Sequence, residues 1–104
     1  MNPEKAHLRL LLNDIHVDLG VFLTQVNNSV NDEHSQYVLL QWDNFKERLA
    51  NLEHANKKYH LEYIQSDIEK FVNMANEDIV SFLENRNKMI HLKEMAATLM
   101  SRLT

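Results

Sequence analysis

One glycine and one proline in 104 residues leave this chain few places to turn. Sandwiches and barrels need turn residues about every 8–12 positions, so an all-β fold is excluded and helix is expected throughout. The length has room for a single domain over residues 1–104. No apolar run approaches the roughly 18 residues that a bilayer span requires, and Met1-Asn2-Pro3-Glu4-Lys5 begins no secretory signal. A cytoplasmic protein without membrane contact is expected. The absence of cysteine removes disulfides, thiolate metal sites and a Cys nucleophile, and the lone Gly20 removes glycine-rich phosphate loops.

The apolar periodicity is helical from end to end. Asn2-Pro3-Glu4 reads as a helix start, with Asn as cap, Pro at the first helical position and an acid at the positive end of the dipole. Leu8, Leu12, Ile15, Leu19, Phe22 and Val26 then step by four and three residues, the spacing of one buried face. Leu11, Val17, Val21 and Leu23 lie off that stripe, so this helix is expected at the centre of a bundle, touching two neighbours. Gly20 in its middle suggests a close helix crossing. A loop is expected over 27–32, where Asn and Ser compete for backbone hydrogen bonds.

A second helix is expected from near Asp32, with Val38, Trp42, Phe45, Leu49 and Leu52 on its inner face and an end at Asn56-Lys57-Lys58. Leu61, Ile64, Ile68, Phe71 and Ala75 open a shifted frame that continues through Phe82, Met89, Leu92, Ala96, Leu99 and Leu103, interrupted at Asp78 and Asn85. A turn at Asn85-Arg86-Asn87 would divide it into helices near 60–84 and 88–103 and complete an all-α, antiparallel bundle of three to four helices, with four favoured. Without that turn, one C-terminal helix about 65 Å long would outrun the first two and need a partner to cover it.

The formal charge of −4 argues against a generic nucleic-acid binder, and DNA is not expected as a partner. The charge is uneven. Between Leu61 and Leu83, five acids face Lys70 alone, whereas from Glu84 onward Arg86, Lys88, Lys93 and Arg102 outnumber the acids Glu84 and Glu94. Apart from Glu4-Lys5-Ala6-His7, the six histidines form no Glu-x-x-His pair and none forms a His-x-x-x-His pair, too few ligands for a carboxylate-bridged site, so no metal and no cofactor are expected. His91-Leu92-Lys93-Glu94 departs from the His-x-Leu-Lys-Gly context of phosphotransfer bundles in spacing, and by Glu94 where that pattern has glycine.

Arg86-Asn87-Lys88-Met89-Ile90-His91 resembles the Arg-Asn-x-x-x-His motif of HEPN-domain ribonucleases. The resemblance implies a small helical bundle in which Arg86, Asn87 and His91 act on RNA across a dimer. Such chemistry is intelligible from the side chains: His transfers protons near neutral pH, and Arg fixes a cation beside the phosphate. On one regular helix Arg86 and His91 would not point the same way. The run from Asp78 to Arg86 is also distantly similar to FliT-type flagellar export chaperones, a likeness carried by amphipathicity.

The leading expectation is an interaction module of the adaptor, chaperone, inhibitor or assembly-factor kind, with the HEPN-like ribonuclease as its rival. Its partner would be another protein or a second copy, with RNA only under the ribonuclease reading. The expected surface is the C-terminal segment: Met89, Leu92, Ala96, Leu99 and Leu103 would supply the apolar stripe, and Arg86, Lys88 and Lys93 the charge that selects an acidic rim.

Overall fold

A computed structural model describes residues 2–27 and 32–104. The loop expected around 28–31 and the burial expected for Val26 lie outside the described residues. Helix occupies 90% of what is described and no strand is present there, as the single glycine and proline require. The elements are α1 (Pro3–Asn27), α2 (Asp32–Tyr59), α3 (Glu62–Ala75), the short α4 (Ile79–Glu84) and α5 (Arg86–Arg102).

Four long helices close into an antiparallel ring in the order α1, α2, α3, α5, with α5 returning along α1. The pairings fix the directions. His7 meets Tyr59 while Phe22 meets Phe45, and Gly20 lies beside Lys93 while Met100 lines a groove with Arg9 and Asn13. The molecule measures 44 × 21 × 21 Å. A helix rises about 1.5 Å per residue, so the 28 residues of α2 already span the long axis and an unbroken C-terminal helix has no place.

Two short polar caps make that return possible. Asn76 leaves the helical conformation, and Asp78 Oδ1 accepts from the Ser81 amide at 2.8 Å to start α4. Asn85 ends α4 and begins α5, its Oδ1 accepting from the Lys88 amide at 3.0 Å. The expected turn at Asn85-Arg86-Asn87 is therefore one residue wide, with Arg86 and Asn87 in the first turn of α5, and the helix expected over 60–84 is divided at 76–78. Lys46 of α2 pins that division by donating to Asn76 Oδ1 (2.8 Å) and to the Glu77 carbonyl (2.7 Å).

The end of α2 also differs from expectation. The helix runs on to Tyr59, and the left-handed residue is His60 (φ 50°) rather than Asn56. Asn56 is buried and donates from Nδ2 to the Gln65 carbonyl (3.1 Å), tying α2 to α3. The core matches the expected one except at Trp42, expected to be buried with the rest. Leu12, Ile15, Leu19, Phe45, Leu49, Ile68 and Phe71 are buried together, while Trp42 is only partly covered and stacks on Phe45 with Lys46 over its ring. Phe22, Phe45 and Phe82 fill one end of the bundle with ring centroids 5.3–5.5 Å apart.

Candidate interaction surface

The apolar stripe of α5 is not a free surface. Met89, Leu92, Ala96 and Leu103 are fully buried and Leu99 is 4% exposed, all within the chain's own core. This corrects the expected partner-binding role of Met89, Leu92, Ala96, Leu99 and Leu103. The caps at Asp78 and Asn85 fold the segment back along α1 and α3, so nothing outruns the first two helices. The cations of the segment separate accordingly. Arg86 is exposed, Lys88 is paired with Glu77, and Lys93 lies along Gly20 of α1.

Arg86, Asn87 and His91 share one uninterrupted helix. A separation of five residues turns Arg86 and His91 about 140° apart at 3.6 residues per turn, so a single chain does not bring them together. His91 instead lines a groove between α3 and α5 with Asp67, Lys70 and Glu94, where Arg102 is already held by Asp67 and by the Tyr63 carbonyl (2.6 Å). Among the described residues no three His, Asp or Glu side chains are grouped to hold a metal ion.

One exposed apolar face lies on α1. Its inner face carries Leu8, Leu12, Ile15, Leu19 and Phe22 into the core. Its outer face carries Ala6, Leu10, Asn13, Val17 and Thr24, spaced by four, three, four and seven residues and without a charge. Leu10 is 58% and Val17 54% exposed, one directly above the other two turns apart. Beside them an open groove of about 350 Å³ runs between α1 and α5, lined by Ala6, Arg9, Leu10, Asn13 and Met100. Further large apolar side chains are exposed on α2, where Tyr37, Leu39 and Leu40 are 48%, 52% and 57% exposed. Tyr63 bonds its hydroxyl to the Arg102 carbonyl and stands under Lys5, Tyr37 engages Gln41, and Val80 belongs to the short α4.

Charges border this face asymmetrically. Arg9 and His16 lie on the side toward α5, where burial and the Lys93 ammonium hold the His16 pKa below its ordinary 6.5, leaving a neutral ring at pH 7. Asp14 lies on the side toward α2, close enough to Arg48 to add to its field. Beneath it Asp18, 2% exposed, forms an ion pair with Arg48, while its Oδ2 has no hydrogen-bond partner. Burial raises the Asp18 pKa above 3.8, opposed by Arg48.

The sequence carried a signal for this surface. Val17 and Val21 stood off the core stripe, but a second apolar seam suits a second neighbouring helix in the same chain as well as an open face, and only the packing separates the two. In the folded chain α2 and α5 take the two flanks of α1 and leave the outer face uncovered. The close crossing expected at Gly20 is absent, since its nearest neighbour is the flexible end of Lys93. No described helix is long and apolar enough to cross a membrane. No family model, no curated protein and no solved structure matches this chain.

Proposed function

We propose that the chain is a small protein–protein interaction module that docks through the outer face of α1. The observation that carries this reading is the pair Leu10 and Val17, each more than half exposed on a face that holds no charged residue. Interface cores are depleted of charge relative to the rest of a surface, and contiguous exposed apolar patches rimmed by polar groups mark interaction sites. Arg9, His16 and Lys93 on one side and Asp14 on the other supply such a rim. A cytoplasmic setting belongs to the same reading.

A photoreactive residue placed at Val17, compared with one at the exposed Glu69 of α3, tests it in the native host. Protein adducts formed at position 17 and absent at position 69 support docking through α1. Equal labelling at the two positions, or none at either, rejects it.

A further inference from the structure

We infer that the occupant of the α1 outer face is a second copy of this chain, paired in parallel and in register about a two-fold axis running along the helix. The inference rests on the docking role of α1 and adds the identity and direction of the partner. Three features of that face carry it.

Ala6, Leu10, Asn13 and Val17 follow each other at four, three and four residues, the spacing that keeps one seam facing a partner helix. A two-fold pair requires a self-complementary patch, and this seam offers small and branched apolar residues with no charge to be buried against its own image. Each seam residue then meets its counterpart. Asn13 lies at the middle, where a side-chain amide can donate to and accept from the partner's amide, and a single buried Asn pair of this kind fixes register.

The direction follows from the flanks. Arg9 directly precedes the seam position Leu10 and Asp14 directly follows the seam position Asn13, so the two lie on opposite sides of the seam, five residues apart. With the axis parallel to the helices, the Arg9 side of one copy faces the Asp14 side of the other, and the same pair forms twice. With the axis perpendicular and the helices antiparallel, like sides meet. The Arg9 flanks of the two copies then face each other, so no Arg9–Asp14 pair forms, and Asp14 approaches its own image near the axis, which like charges oppose.

Sedimentation of the full chain over a range of concentrations tests the inference. Its mass is expected to rise from 12.3 kDa toward twice that value. Val17→Glu should weaken association by at least about tenfold, the effect of losing 1.4 kcal/mol or more at one central residue, with an unchanged thermal melt at high dilution because Val17 is exposed. Arg9→Asp or Asp14→Arg alone should weaken it, and the double exchange should restore it. The chain has no cysteine, so Leu10→Cys and Val17→Cys report directly on geometry: each should form a disulfide with its own copy under mild oxidation. Selective linkage of position 10 to position 17 would establish the antiparallel pair and overturn the proposal. So would a dimer indifferent to Val17→Glu, or a monomer at every concentration. A chain that stays monomeric yet forms adducts with a different protein at position 17 loses the self-pairing alone; one that does neither loses the docking face as well.

Discussion

Asp18 of α1 and Arg48 of α2 form an ion pair in which the carboxylate is 3% exposed and the guanidinium 40% exposed. The pair joins two helices beneath the α1 surface, and its inner oxygen, Oδ2, is left without a partner. Removing Arg48 would strand a buried negative charge. Arg48→Ala should therefore cost on the order of 2–3 kcal/mol at pH 7, below the full figure for a buried pair because water already reaches the guanidinium.

The same pair gives that loss a pH dependence. Burial sets the folded pKa of Asp18 above its ordinary 3.8, so in the window above 3.8 the folded chain holds a proton that the unfolded chain has released, and stability falls as pH rises through it. Losing Arg48 raises the folded value further and widens the window. The destabilisation of Arg48→Ala should thus shrink as pH falls from 7 toward 4, measured by urea unfolding at each pH. A loss that stays constant with pH would show that Asp18 is not the group responsible.

Phe45 touches Phe22, Trp42 and Phe82 and is fully buried. Phe45→Ala should cost about 3–5 kcal/mol in denaturant unfolding, a large share of a small domain's stability. An unchanged unfolding midpoint would contradict the aromatic packing at this end of the bundle.

Gly20 sits inside α1, and a β-carbon added there would lie 3.6 Å from Lys93 Nζ, an ordinary contact with a movable group. Gly20→Ala should raise stability by about 0.4–1 kcal/mol through helix propensity and a less flexible unfolded chain. A fall in Tm would reveal a tighter α1–α5 approach than this spacing allows.

The bundle was legible in the sequence because core burial writes a strict three- and four-residue period, and Leu8 to Phe22, Val38 to Leu52 and Ile64 to Leu103 all carry it. The path of the chain was less legible. Asp78 and Asn85 were visible as interruptions, yet an Asn or Asp within a helical pattern reads alike as an exposed residue or a cap, and only the Ser81 and Lys88 amides bonded to them decide the matter. The same ambiguity applies to the apolar stripes. An apolar stripe does not state whether its partner is in the same chain, so α5 looked available until its return along α1 buried it, while Leu10 and Val17 on α1 were left outside.

The central claim is that the outer face of α1 does the binding, and it is tested most directly by the size of the tagged chain in a native extract, compared with Val17→Glu. The wild-type chain should migrate as an assembly larger than its 12.3 kDa, and the variant, equally well folded by circular dichroism, should migrate as the monomer. Two proteins of identical size, whether both assembled or both monomeric, would contradict the claim.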